Sequence, residues 1–481
     1  MPLRPSVVAL AATVLLSACA VGPDYVRPTL PVPAAYKESG DWKPADPRPA
    51  ASGLAWWQSY GDAVLDGLEN DADAANQNIR QAEATYRQAK AIVDEDRAGL
   101  FPTLGLNLGA DRGRADTSGV TRTGNSYSLG LAGSWEPDLW GSIRRTIESG
   151  VASAQASADD LAAARLSIQT TLAQDYLQLR IADQQRDMYA TTIAAYAQAL
   201  KLTRAQHAAG ITLQSDVALA EAQLAQAQAA DVDLEASRAQ LEHAVAVLTG
   251  RAPAQLAVTR AFADQPLSLK TPATPEGLPS DLLEHRPDIA GAERRAAAAN
   301  ADIGVAQAAY FPQLTLSASG GFGAGALGSL FDTPGRVWSL GAALAQTIFD
   351  GGLRRARTVQ AEAAYDITVA EYKQTVLGGF QQVEDNLALL RLLARETTFQ
   401  DQAVRSSQQA EQIALAQYRA GANSYLNVVT AQTLSLTNQR TAVQLRGRLV
   451  AASISLVSAT GGGWSATDPL ASAPAAPAQP Q

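Results

Sequence analysis

The chain has 481 residues, of which 47% are hydrophobic and 18% charged, enough for a large core and too apolar for wholesale disorder. A net charge of −9, from 38 basic and 47 acidic side chains, leaves no basic footprint and excludes a nucleic-acid partner. One cysteine excludes an intrachain disulfide framework and a Cys-based zinc site, and the histidines at 207, 243 and 285 read as solvated residues rather than a ligand cluster.

At the N-terminus Arg4 precedes an apolar run from Val7 to Leu16, about ten residues and too short to span a bilayer as a helix. Residues 1–18 read as a signal peptide. Leu16-Ser17-Ala18-Cys19 resembles the processing site of bacterial lipoproteins, which implies that Cys19 opens the mature chain and carries acyl groups on its sulfur and its amine. The alternative is an ordinary free cysteine after a plain signal peptide. Several acyl chains suffice for stable anchoring, and by resemblance to other lipoproteins the lack of Asp at Ala20 points to the outer membrane. Pro23, Pro28, Pro31 and Pro33 mark residues 19–55 as an extended, lipidated tether. No other window holds about 18 uninterrupted apolar residues, so any further span must be built from strands.

A first helix is predicted from Asp62 to Gly99, unbroken, with Asn76, Ile79, Ala82, Glu83, Tyr86 and Lys90 at helical spacing; Phe101-Pro102 stops it. Next come two segments of period two. Leu104, Leu106, Leu108 and Ala110 alternate with Thr103, Gly105, Asn107 and Gly109, and Tyr127, Leu129, Leu131 and Trp135 alternate with Ser126, Ser128, Gly130 and Ser134. A long helix is predicted over 142–209, its apolar residues from Ile143 to Leu179 in steps of four and three, as in a coiled-coil seam. Gly210 ends it, and a returning helix runs over 214–249.

The pattern then recurs. Phe101-Pro102 becomes Phe311-Pro312 (311 − 101 = 210), Gly210 becomes Gly421 and Thr249-Gly250 becomes Thr460-Gly461, both shifted by 211. So residues 56–250 and 281–461 are two copies of one unit, joined by a linker at 251–280 and followed by a Pro/Ala-rich tail at 462–481. The second copy offers strands around Leu314–Ala318 and from Trp338 to Ile348. The long helix would reach about 100 Å, and the first and returning helices about 57 and 54 Å. The two short helices therefore fit end to end beside the long one. That sets the strands at one extremity, the glycine turns at the other, and a waist between.

Strands of about ten residues with alternating polarity suit an outer-membrane barrel; a soluble hairpin lying on a helical core is the alternative. Four strands cannot close, and open edges in lipid cost several kcal/mol per unsatisfied group. A membrane-spanning sheet therefore requires a multimer of 8 strands from two chains or 12 from three, and the pattern does not choose.

Chemical motifs are missing. Gly323-Ala-Gly325-Ala-Leu-Gly328 has dinucleotide-binding spacing, but no helix follows, so it reads as a loop between strands. Asp159-Asp160 reads as a solvated helical pair. Nothing argues for an enzyme, a metal or a cofactor.

Three motifs resemble the TolC-type outer-membrane efflux proteins, in the lipoprotein branch of OprM and NodT. They are Cys19 with Val21-Gly22-Pro23-Asp24-Tyr25; Trp56-Trp57 with Tyr60-Gly61-Asp62 and Leu65; and Leu278-Pro279 through Arg286-Pro287-Asp288-Ile289, Ala292-Glu293, Ile303-Gly304 and Phe311-Pro312. The resemblance spans 19 to about 461. It implies a mainly α fold with a small transmembrane β part, four strands per chain, and a homotrimer with a 12-stranded barrel and an α-helical periplasmic tunnel. It also implies an outer-membrane duct, set in lipid, that exports small molecules from a periplasmic adaptor and an inner-membrane pump of a Gram-negative bacterium. Polypeptide export shares the fold, and a coiled-coil spacer lipoprotein would need no strands. The turns at Gly210 and Gly421 become docking sites for the adaptor, where helix ends would expose unpaired carbonyls. The resemblance further implies a gate at that tip. Its latch would be a hydrogen bond from Tyr418 to Asp216. A latching arginine of the family falls on Asn423, and two acidic-ring positions fall on Asn427 and Thr430, so those charges are lost here.

Overall fold

The structure is a computed structural model and describes residues 20–33, 35–38, 55–117, 120–260 and 285–464. Cys19, the signal peptide, most of the linker and the tail from 465 lie outside the described residues.

After a 3-10 turn at Trp56–Tyr60, helices α1 (Ala63–Ala75) and α2 (Gln77–Ala98) lead to strands β1 (Thr103–Thr117) and β2 (Val120–Trp135), the long helix α3 (Ser142–Ala208) and the returning helix α4 (Gln214–Leu248). The second copy supplies α5 (Pro287–Ala308), β3 (Gln313–Ala324), β4 (Arg336–Ala345), α6 (Leu353–Arg419) and α7 (Tyr425–Ala459). The duplication is exact in helix length: α3 and α6 have 67 residues each, α4 and α7 have 35 each.

The unbroken first helix is corrected. Asn76 splits it: its N–H closes α1 on the Ala72 carbonyl, and its side-chain oxygen caps α2 by accepting from the N–H groups of Asn78 (2.9 Å) and Ile79 (3.2 Å). Asn is a strong N-cap residue, and the extended backbone at Asn76 lets one side chain serve both helices. Its amide also donates to the Leu248 carbonyl at 2.8 Å, so the end of α4 meets the α1–α2 break. A Cβ on Gly250 would overlap the Ala75 carbonyl, and one on Gly461 would overlap the His285 carbonyl. Each repeated Thr-Gly pair thus seats a returning helix end to end against the head of the short helix before the strands, which in the first copy is the 22-residue α2 rather than the whole 62–99 helix expected.

The waist has two apolar cores. One gathers Trp57, Tyr60, Leu65 and Leu68 with Leu172 and Tyr176 of α3, Val245 of α4 and Ile454 of α7. The other packs Tyr36 and Ile289 on Tyr372, Val383 and Leu387 of α6 and Leu456 of α7. The first core joins the two copies through Val450 and Ile454 of α7, whereas the second is built from the second copy and the N-terminal segment alone.

The four strands form one antiparallel sheet in the order β1-β2-β3-β4. Leu108 pairs with Leu129, Leu129 with Phe322, and Phe322 with Arg336, an uninterrupted register that places even-numbered residues of β1 and β4 on one face. That face carries Leu104, Leu106, Leu108, Leu131, Trp338, Leu340 and Leu344, all exposed. The opposite face carries Thr103, Asn107, Ser128, Ser134, Ser317, Ser319 and Ser339 among small residues. Pairing runs past the apolar alternation to Thr117 and Val120, while β4 ends at Ala345, short of Ile348. The sheet is also sheared. Thr103 lies in the row of Ser134 and Ser317, yet β3 starts four residues earlier, at Gln313 (317 − 313 = 4). Both feet follow a Phe-Pro pair, so about 13 Å of offset accumulates over roughly 10 Å of sheet, the steep strand tilt a barrel wall needs.

Candidate functional site: the helical tip

The end furthest from the sheet is built from two equivalent hairpins. Gly210 and Gly421 adopt φ of 75° and 73°, the left-handed conformation of a residue just past a helix end. The N–H of Ile211 bonds to the Gln206 carbonyl at 2.9 Å and that of Gly210 to the His207 carbonyl at 2.8 Å. In the second hairpin Ala422 bonds to Gln417 at 2.9 Å and Gly421 to Tyr418 at 3.0 Å. These closures correct the expectation of open carbonyls at the turns. What each tip presents is side chains: Ile211 and Leu213 on the first are 73% and 71% exposed, whereas the second shows Asn423 and Asn427.

Between the hairpins lies a small buried core of Ala199, Leu200, Val217, Ala220, Tyr418, Tyr425 and Val428. Tyr418 at the end of α6 and Tyr425 at the start of α7 flank the turn, and their rings meet at 5.2 Å. The latch partner is corrected. Tyr418 donates its hydroxyl hydrogen to Gln206 Oε1 at 2.6 Å and lies 3.3 Å from Thr203 Oγ1, both on α3. Asp216 instead accepts from the hydroxyl of Thr212 and so braces the first turn of α4. Four residues separate those two, so the local bond forms within one turn, and a longer amide on α3 meets the phenol.

A second bridge runs beside the first. Tyr425 Oη reaches Gln223 Oε1 of α4 at 3.4 Å, and Gln223 Nε2 donates to Gln432 Oε1 of α7 at 3.2 Å. Burial, helped by the neighbouring Tyr418, Tyr196 and Asp216, pushes the Tyr425 phenol up to about 12, so it stays a neutral donor. Neither bridge contains a charge.

Asn423, Asn427 and Thr430 lie on one stripe of the second hairpin by spacing. Asn427 Nδ2 donates to Asn423 Oδ1, and Asn423 Nδ2 to Gln417 Oε1 at 3.2 Å. Asn427 and Thr430 are exposed, on the face away from buried Tyr425 and Val428. Gln206, Gln223 and Gln432 were missed in the sequence because glutamines fill all four hairpin helices. Only their rotation about the helix axes singles them out.

Elsewhere, Asp159 corrects the reading of a solvated pair. It is 6% exposed, and burial, with Asp160 adding to it and Arg294 opposing, raises its carboxyl to about 7. Asp160 is the exposed member and pairs with Arg295 at 2.9 Å. The three histidines are exposed. No cluster of metal-ligating side chains occurs among the described residues, and no described helix is long and apolar enough to cross a membrane.

At the opposite end, residues 20–33 and 35–38 form a strap over both copies, from Glu384 of α6 at the waist to the foot of the sheet. Val21 N–H donates to the Trp140 carbonyl at 3.1 Å, Arg145 Nε to the Val21 carbonyl at 3.1 Å, and Asn300 to the Pro23 carbonyl at 3.0 Å. Tyr25 donates to Glu293 at 2.6 Å, and the Lys37 and Glu38 N–H groups hold the Glu384 carboxylate. Ala20 packs on Gly141, at the foot of β2 and the head of α3.

The family model described as outer membrane efflux protein matches residues 68–251 and 278–462, one match per copy. The pyoverdine export outer membrane protein OpmQ of Pseudomonas aeruginosa is 33% identical over 465 residues, covering 95% of this chain and 96% of that one. The toluene efflux pump outer membrane protein TtgF of Pseudomonas putida is 30% identical over 468 residues, at 95% and 96% coverage. Among solved structures, the outer-membrane channel OprN superposes with a TM-score of 0.86 at 32% identity, over 93% of this chain and all of that one. The Campylobacter jejuni channel CmeC reaches a TM-score of 0.88 at 22% identity, covering 94% and 97%, a likeness of fold. The chain therefore belongs to the outer membrane efflux protein family, in its OprM/NodT-like branch, and is an outer-membrane efflux channel subunit with the TolC-like arrangement of strands and long helices.

Proposed function

We propose that three copies of the chain close a 12-stranded barrel and a helical tunnel, forming the passive outer-membrane duct of a tripartite efflux system. The observation that carries this reading is the sheet. Its exposed apolar face, its polar opposite face and its two unpaired edges suit a lipid-embedded wall completed by further copies. A spacer lipoprotein has no use for such a sheet. Small hydrophobic or chelating compounds are the proposed cargo, supported by relatives named for toluene and pyoverdine export. The duct works without a cofactor, driven by an inner-membrane pump through a periplasmic adaptor. The adaptor meets the tip around Gly210 and Gly421, where Ile211 and Leu213 offer apolar contact. Tyr418 with Gln206 holds the two hairpins closed, Asp216 braces the turn, and the stripe of Asn423, Asn427 and Thr430 faces the constriction without an acidic ring. Acylated Cys19 anchors the chain beside the barrel, in keeping with Ala20 at the foot of β2.

Single-channel recording of the purified protein in a planar bilayer, with its mass in detergent, tests the reading. Discrete conductance and about three protomer masses are expected. A stable monomer that never conducts would overturn it.

A further inference from the structure

The lipid-facing side of the sheet ends in arginines. Arg112 and Arg114 continue the even-numbered series of Leu104, Leu106 and Leu108 on β1, and Arg336 heads the series of Trp338, Leu340 and Leu344 on β4. The register has no bulge, so all three share the apolar face, while Asp111 belongs to the polar one. All three are exposed, and none is paired with a carboxylate among the described residues. Arg112 stands nine residues above the foot of β1 (112 − 103 = 9), and Arg336 nine residues above the foot of β4 (345 − 336 = 9). Nine residues rise about 30 Å along a strand, or roughly 20 Å vertically at the tilt derived above, close to the top of an apolar band about 25 Å tall. The two copies of the repeat thus set an arginine at the same height, one on an ascending and one on a descending strand.

These are also the two edge strands. In a closed ring the β4 edge of one copy meets the β1 edge of the next, which gathers Arg336 with Arg112 and Arg114 at every junction. Guanidinium groups bind phosphate bidentately, and an arginine at this depth, on the lipid side, extends its long side chain up to the lipid headgroups. We infer that the junction arginines form a binding site for the phosphate groups of the glycolipid in the outer leaflet, one site per subunit junction. The inference rests on the barrel proposed above.

The test uses the purified full-length oligomer in detergent, titrated with rough lipopolysaccharide or with the same glycolipid after enzymatic dephosphorylation, and read by native mass spectrometry. Wild type should bind the phosphorylated form at least tenfold more tightly than the dephosphorylated form. The triple variant Arg112→Gln, Arg114→Gln, Arg336→Gln should lose that preference, and the triple lysine variant should recover part of it. Equal binding of both glycolipids by wild type, or an undiminished preference in the glutamine variant, overturns the site. Conductance in a phosphatidylcholine bilayer, measured on the same preparations, separates the two claims. Conducting protein without phosphate preference refutes only the arginine site, whereas protein that neither assembles nor conducts refutes the barrel and the site with it.

Discussion

Tyr418 on α6 and Gln206 on α3 are 212 residues apart in sequence and joined by a 2.6 Å hydrogen bond at the tip, the shorter of two neutral bridges between the hairpins. A neutral buried bond contributes about 0.5–1.5 kcal/mol, and three symmetric copies would contribute a few kcal/mol to closure. That is small enough for adaptor binding to reverse. Tyr418→Phe keeps the ring against Tyr425 and removes only the hydroxyl, so raised single-channel conductance and greater antibiotic uptake are expected. Gln206→Leu should match it, and the double variant should be no leakier than either single. Asp216→Asn keeps an acceptor for Thr212 and should leave conductance near wild type. If Asp216→Asn leaks and Gln206→Leu does not, the latch is the carboxylate after all.

The layout of this fold was legible because its signals are periodic. Steps of four and three gave the long helices, steps of two gave the strands, and repeated Phe-Pro and Thr-Gly pairs gave the duplication. Legibility stopped where one side chain had to choose among partners. Asn76 sits at good helical spacing, and its role as a cap appears only once the Leu248 carbonyl is beside it. Asp159 and Asp160 read alike in sequence, but α5 packs over the first and leaves the second to Arg295. At the tip, the family resemblance pointed to Tyr418 and Asp216 as partners, but nothing in the sequence shows the rotation of α3, which brings Gln206 to the phenol.

Glu69 on α1 is fully buried, and neither carboxylate oxygen has a hydrogen-bond partner among the described residues. Burial, with Asp73 adding to it, raises its carboxyl from 4.5 to about 9. The folded protein therefore keeps a proton that the unfolded chain releases above pH 4.5, so this group's contribution to stability is present below pH 4.5 and lost as pH rises towards 9. Glu69→Gln cannot ionise. Its melting temperature at a fixed scan rate should match wild type at pH 5 and exceed it increasingly up to pH 9, by an amount equivalent to about 1–3 kcal/mol. A gap that stays constant with pH would show that Glu69 is ionised in the fold.

The strap of residues 20–33 and 35–38 makes a different demand. A Cβ on Gly304 would come within 2.8 Å of the Val21 carbonyl and 2.9 Å of the Arg145 side chain, so Gly304→Val must lift the strap. Limited proteolysis should then cut between Ala20 and Glu38 at least tenfold faster, while Tyr25→Phe, which loses only the bond to Glu293, should show a smaller increase. Cys19→Ser behind a non-lipoprotein signal peptide should still reach the outer membrane, because the proposed barrel would itself be an anchor and the strap's own bonds remain. Recovery of that variant wholly as soluble periplasmic protein would contradict the membrane assignment of the strands.

Gly421 permits separation of a turn's conformation from its contacts. At φ of 73° any L side chain is strained, by about 1–2 kcal/mol, but no atom lies within 4 Å of where a Cβ would sit. Alanine and tryptophan at this position therefore carry nearly the same backbone strain and differ in what they present to a partner. Gly421→Ala should fold, assemble and export at close to the wild-type level. Gly421→Trp should assemble equally well yet lose crosslinking to the adaptor, and with it export. Equal loss in both variants would mean that the glycine serves only the turn. Full crosslinking in Gly421→Trp would place the adaptor elsewhere on the helices, for which the exposed Ile211 and Leu213 of the first hairpin are the next surface to alter.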